Sequence, residues 1–216
     1  MKYKAVIYDL DGTLLYTLDD LRNSVNYALE KFGHPLRTTD EIRLFIGNGV
    51  AVLMRRSAPA HCTDEEVKEM LDVFREHYLK HMYDNTRAYD GVLQMMKDIH
   101  DAGILSAIVS NKLDPAVKEL DKLFFNGLTT TAIGAPPEAK KPDPTSVYMC
   151  MDTLGIRPGE AIYVGDTDVD IETAHNAGIK CIGVSWGFRG RKFLEDYKCD
   201  YIIDKPEELL PLIKSL

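Results

Sequence analysis

The stretch AVIYDLDGTL, residues 5–14, decides the fold. Ala5 to Tyr8 run without a polar break, as expected of a strand buried on both faces of a parallel sheet. The run ends on Asp9-Leu10-Asp11-Gly12, which sets two carboxylates and a turn at its carboxyl end. Open parallel sheets gather functional groups at those ends. The opening residues therefore predict an α/β sheet with its chemistry along one edge.

The rest of the chain agrees. From about residue 88 onward, short apolar runs alternate with helical patterns: Ile104–Val109, Thr130–Ile133, Ala161–Val164, Lys180–Val184 and Tyr201–Ile203. Gly103 and Gly178 stand where a helix stops before the next strand. The alternation implies βαβ units, hence a Rossmann-like, mainly parallel sheet flanked by helices. Residues 16–87 differ. Leu18, Leu21, Val25, Ala28, Leu29 and Phe32 fall on one helical face that stops at Gly33 and Pro35. Thr38-x-x-Glu41 and Thr63-x-x-Glu66 read as capping boxes, and Val67, Met70, Leu71, Phe74, Tyr78 and Met82 continue an apolar stripe after the second. The expected organisation is an α/β core from 1–15 and 88–216, with an all-α insert over 16–87.

The charge balance is 26 Lys plus Arg against 34 Asp plus Glu, a net −8 with no basic block, which argues against a nucleic acid partner. No apolar run approaches the roughly 20 residues of a membrane span. The N-terminus lacks the apolar core of a secretory signal, so a cytoplasmic location is expected. Cys62, Cys150, Cys181 and Cys199 are widely spaced and predict reduced thiols, with a structural zinc site as the lesser alternative. The six histidines show no metal-ligand spacing; His77 and His81 are expected on a solvated helix face.

Reading only the strand ends gives Asp9-Leu-Asp11-Gly-Thr13, Ser110-Asn111-Lys112, Lys141-Pro142-Asp143-Pro144 and Gly165-Asp166-Thr167-Asp168-Val169-Asp170. Each alone is ordinary turn or cap chemistry. Four together at four strand ends suit phosphoryl transfer, which needs a nucleophile, charge neutralisation and a proton donor. Asp9 suits the nucleophile, since a carboxylate can carry an acyl phosphate. A carboxylate approaching a phosphate dianion needs a hard cation with oxygen ligands, and Mg2+ fits, held by Asp9, the Asp11 carbonyl and Asp166. The Asp11 side chain suits the acid and base, while Ser110 and Lys141 suit the transferring oxygens.

Asp9-Leu-Asp11-Gly-Thr13-Leu, Val109-Ser110-Asn111-Lys112, Lys141-Pro-Asp-Pro and Gly165-Asp166-Thr-x-x-Asp170 resemble the four ordered motifs of the haloacid dehalogenase-like hydrolase superfamily. Phe45-Ile-Gly-Asn-Gly49, Asn176-Ala-Gly178 and Trp186-Gly-Phe-Arg-Gly190 resemble its phosphoglycolate phosphatase branch. The resemblance implies a nucleophilic Asp9, an acid/base Asp11, Mg2+ on Asp9, Asp11 and Asp166, and Asp170 acting through metal-bound water. It also implies phosphate binding by Ser110, Asn111 and Lys141, and it makes the insert a helical cap domain. In that cap, Gly47-Asn48-Gly49 with Arg43, Arg55 and Arg56 would meet the substrate. Tyr16-Thr17 departs from the Asp-Ser usual in this branch and lies at the cap hinge. The expected function is a phosphatase for a small phosphorylated metabolite, as a monomer or homodimer. A phosphomutase or pyrophosphatase would use the same residues, and a phospho-accepting signalling domain fits less well because it needs no insert.

Overall fold

The computed structural model describes residues 2–136 and 138–216. A six-stranded, all-parallel sheet forms its centre, built from β1 (Ala5–Tyr8), β4 (Leu105–Ser110), β5 (Thr131–Gly134), β6 (Ala161–Gly165), β7 (Lys180–Val184) and β8 (Tyr201–Ile203). Their spatial order is β5-β4-β1-β6-β7-β8. The Rossmann-like reading of the sequence is thus correct. β4 and β5 begin and end one residue later than the apolar runs suggest, because the ladder carries on to pair Ser110 with Gly134.

β1 lies between β4 and β6, with Ile7 opposite both Ala107 and Tyr163. All four of its residues are buried, which explains the unbroken apolar run. The chain builds outward from β1 to β4 and β5, then crosses to β6 on the other side. Between β1 and β6 the strand order reverses, and the crevice above such a reversal is where ligands bind in open α/β sheets. Helices α5 (Val92–Asp101), α6 (Asp114–Phe125), α7 (Thr145–Leu154), α8 (Asp168–Asn176), α9 (Arg191–Asp196) and α10 (Leu209–Ser215) complete this part. Val147, Cys150 and Met151 of α7 and Ile171 and Ala174 of α8 bury one sheet face with Ile7, Val109 and Tyr163.

The chain divides into two compact units, Met1–Leu15 with Ala88–Leu216, and Tyr16–Arg87. The second contains α1 (Leu18–Lys31), α2 (Thr39–Phe45), α3 (Val50–Ser57) and α4 (Asp64–His81). Its core is α1 against α4, and it buries Leu18, Leu21, Val25, Ala28 and Leu29 together with Val67, Met70, Phe74 and Tyr78. Thr38 caps α2 with the full reciprocal box, whereas Thr63 only accepts from the Glu66 amide; the Glu66 carboxylate turns to His34 instead. At the unit boundary, β2 (Leu15–Tyr16) and β3 (Arg87–Ala88) form a two-stranded sheet too short to leave a periodic signal. Among the described residues no helix is long and apolar enough to cross a membrane.

Candidate active site

Asp9 follows β1 directly, and its amide donates to Val164 O, so the β1–β6 ladder itself fixes the carboxylate. The chain then makes a tight turn in which Leu14 and Leu15 amides donate to Leu10 O. Gly12 sits at the turn with φ +91°, where a side chain would also fall 2.5 Å from Asp166 Oδ2. Only glycine satisfies both demands. Gly165 and Gly187 approach in the same way: an added Cβ would lie 2.3 Å from the Cβ of Asp170 and of Asp166, respectively.

Asp166, at the end of β6, is fully buried; its Oδ1 accepts from Thr13 Oγ1 at 3.0 Å and its Oδ2 from the Phe188 amide at 2.7 Å. Carboxylate oxygens of Asp9, Asp166 and Asp170 lie within 4.8 Å of one another. Lys141 reaches in among them. Its Nζ donates to Asp9 Oδ1 and Asp170 Oδ1, each at 2.7 Å, and to Tyr163 Oη at 3.1 Å. Asp170 also takes three bonds on Oδ2, from the amides of Asp166 and Thr167 and the Thr167 hydroxyl. With Lys141 and Tyr163 on Oδ1, that carboxylate is saturated. It therefore caps α8 and orients Lys141 at once.

The electrostatics follow from burial. Burial raises Asp9 to about 7, and the charges of Asp170 and Asp11 add to that rise while Lys141 opposes it. Burial also pushes Asp166 well above the usual carboxylate range, helped by Asp170 and Asp9. On Lys141, burial would discharge the ammonium, but Asp170 and Asp9 outweigh it and hold the group charged. One ammonium thus serves two of the three buried acids, Asp9 and Asp170. An all-oxygen set with surplus negative charge matches the chemistry of a hard divalent cation, and the residues present fit one.

Asp11, the second acid after β1, is held by Lys112, whose Nζ donates to Oδ1 at 2.7 Å and Oδ2 at 3.0 Å. Ser110 is buried at the end of β4 and accepts from the Lys112 amide. Asn111 brackets the Lys141 backbone, donating to its carbonyl and accepting from its amide. The structure thus gathers Asp9, Asp11, Ser110, Asn111, Lys141, Asp166 and Asp170 at one sheet edge. Sequence reasoning assigned no role to Lys112 or Tyr163. Lys112 had a signal, standing in the motif at the end of β4. Tyr163 had none, since it looks like any aromatic of a buried strand.

The residues expected to meet substrate lie in the Tyr16–Arg87 unit. Gly49 precedes α3 with φ +84°, and Gly47 has φ +123°. Arg56 donates to Phe45 O and Arg55 to Cys62 O, so these two tie the last turn of α3 to neighbouring backbone. Arg43 lies 3.6 Å from Asp40 on α2. The histidines depart from expectation. His77 and His81 do share one face, stacked on each other, but only His81 is exposed; His77 is half-buried, stacks on Tyr27 and bonds Ser24, and His34, His61 and Cys62 cluster.

Residues 6–184 match the haloacid dehalogenase-like hydrolase family model. The chain belongs to the haloacid dehalogenase-like hydrolases. This hydrolase is 31% identical to a phosphoglycolate phosphatase of Pseudomonas savastanoi pv. phaseolicola, over 96% of this chain and 79% of that protein. It is also 31% identical to one of Aquifex aeolicus, over 98% and 97% of the two chains. A solved Lactobacillus delbrueckii subsp. bulgaricus structure assigned to the phosphoglycolate phosphatases superposes with a TM-score of 0.90 at 34% identity, over 97% of both chains. With relatives of this kind, the activity class of the hydrolase is phosphoric monoester hydrolysis.

Proposed function

We propose that the protein is a Mg2+-dependent phosphatase for a short acidic phosphate ester such as 2-phosphoglycolate, acting through an aspartyl phosphate on Asp9. The observation that carries this reading is the buried Asp9–Lys141–Asp170 arrangement beside Asp166, at the crevice between β1 and β6. Asp9 and Asp166, with the Asp11 carbonyl, would hold the ion. When bound, it supplies positive charge that offsets repulsion between the attacking carboxylate and the phosphate.

The chain's own groups do the rest. A carboxylate oxygen of Asp9 attacks phosphorus, the bond to the leaving oxygen breaks, and Asp11 gives that oxygen a proton. Water then attacks the acyl phosphate, Asp11 takes the proton back, and phosphate leaves with Asp9 restored. Lys112 keeps Asp11 in place between these roles. Lys141 and Ser110 face the phosphoryl oxygens, with Asn111 fixing the Lys141 loop. Asp170 acts by orienting Lys141 rather than by touching the ion. For the substrate's carboxylate, the Gly47–Gly49 amides at the start of α3 and Arg43 are the groups of suitable chemistry.

A panel of phosphate monoesters with Mg2+, with Asp9→Asn as control, tests the reading. Free phosphate should appear fastest from 2-phosphoglycolate, and Asp9→Asn should abolish turnover while leaving the fold intact. Turnover that survives in Asp9→Asn excludes the aspartyl phosphate. Isomer formation without phosphate release would make the enzyme a mutase.

A further inference from the structure

The Tyr16–Arg87 unit brings together a second set of ligand-type side chains that has no part in the phosphatase chemistry. Three separate loops and helix ends supply it. His34 follows Gly33, whose φ of +71° closes the end of α1, and the His34 amide donates back to Leu29 O. His61 and Cys62 come just before the Thr63 cap of α4. Glu66 lies in the first turn of that helix.

His34 Nε2 stands 3.3 Å from Cys62 Sγ and 3.1 Å from Glu66 Oε1. A ring nitrogen of His61 joins His34 and Cys62 so that the three ligand atoms lie within 4.8 Å of one another. His34 Nε2–H and the Cys62 thiol can each donate to the Glu66 carboxylate, but the 3.3 Å approach of Nε2 to Sγ then carries no proton of its own. A metal ion satisfies it well. With Zn–N near 2.0–2.1 Å and Zn–S near 2.3 Å, the edges of a tetrahedron come to about 3.3–3.6 Å, within a few tenths of both observed separations. The donors are two imidazoles, a thiolate and a carboxylate, a set that suits zinc and differs from the all-oxygen set beside Asp9.

The surroundings are built to hold it. Cys62 is 5% exposed, and the Arg55 guanidinium donates to its carbonyl. The His34 side chain is 10% exposed and that of Glu66 34%, while His61 is exposed and can swing in. Glu66 has given up the capping-box bond that its position after Thr63 would ordinarily make, and points to His34. Burial and the Glu66 charge raise the Cys62 thiol above its ordinary value, so it carries its proton when no ion is bound. Binding then forms the Zn–S bond and releases that proton to water.

We propose that His34, His61 and Cys62 hold a zinc ion within the helical unit, with Glu66, which reaches His34 but lies outside the set of three mutually close ligand atoms, moving in as the fourth ligand. The ion would pin the α1–α2 connection to the start of α4. The full chain, with excess Mg2+ to occupy the carboxylates beside Asp9, is titrated with Co2+ as a spectroscopic substitute for zinc. One equivalent should produce a thiolate-to-cobalt charge-transfer band and the intense visible bands of tetrahedral cobalt, and Zn2+ should erase both. Cys62→Ala should remove the charge-transfer band. His61→Ala, at an exposed position that cannot threaten the fold, should weaken cobalt binding by roughly tenfold or more. A wild-type protein with no such band, a band that persists in Cys62→Ala, or unchanged affinity in His61→Ala overturns the site.

Discussion

Replacing Lys141 by methionine removes one charge from the centre of the acidic cluster and leaves nearly the same volume. Two carboxylate contacts of 2.7 Å disappear, to Asp9 and Asp170. At an effective dielectric of about 20, each is worth about 6 kcal/mol of gross attraction. Most of that offsets the desolvation of the charges, all of which are less than 10% exposed. What remains visible on deleting one partner of such a buried pair is about 3–5 kcal/mol, because the surviving carboxylates stay buried without a counter-ion. Against a total stability of about 5–15 kcal/mol, Lys141→Met should fold but unfold at clearly lower denaturant. The sign with pH is also fixed. Without the ammonium, Asp9 holds its proton more tightly, so the native variant binds more protons than its unfolded chain up to a higher pH. The loss should thus be larger at pH 8 than at pH 5. Guanidinium unfolding in EDTA, followed by circular dichroism at both values, measures it. A loss below about 1 kcal/mol, or one equal at the two pH values, would refute this account of how the cluster is held.

Three further outcomes follow from the same geometry. Gly187→Ala has no backbone penalty to confuse it, yet its Cβ would lie 2.3 Å from Asp166 Cβ; displacing that carboxylate by about 1 Å should cut kcat/KM about 100-fold, read in a steady-state phosphatase assay, and the same forced shift should cost about 1–3 kcal/mol of stability. In metal-free protein, Asp9 at about 7 against an ordinary 3.8 means that the folded state binds the extra proton, so this group's contribution to stability falls as pH rises from about 4 to about 7. The difference between wild type and Asp9→Asn across that window should reach roughly 4 kcal/mol and should vanish with saturating Mg2+, as thermal melts with and without the ion would show. Asp20→Ala should cost about 2 kcal/mol in chemical unfolding, because the buried Asp20 carboxylate accepts from the amides of Asn85 and Thr86 and so ties the two ends of the helical unit.

What the sequence made legible, and what it hid, divides along a physical line. Asp9 and Asp166 could be placed because a buried strand announces itself by its apolar run, and the topology then dictates where its last residue stands. The stripes on α1 and α4 were readable for the same reason, as periodicity is a property of one element alone. Pairings between elements leave no such trace. Lys112 meets Asp11 across 101 residues of chain, and Tyr163 on β6 meets Lys141, from the loop before α7, across 22. Tyr16, which breaks the family's usual Asp-Ser, lies with its ring 4.2 Å beneath the Arg87 guanidinium, so the two strands at the unit boundary are joined by a cation–π contact that neither position signals. No spacing rule links His34 with His61 and Cys62, which stand on two different helix connections, so their meeting leaves no sign in the sequence. Glycine falls on both sides of the line. Gly12 was visible within a motif, but the need for Gly187, in the loop after β7, is set by Asp166, which follows β6. The acids of this site are therefore specified twice, once by the strands that carry them and once by the small residues that leave them room. Only the first specification can be read from the positions of the acids themselves.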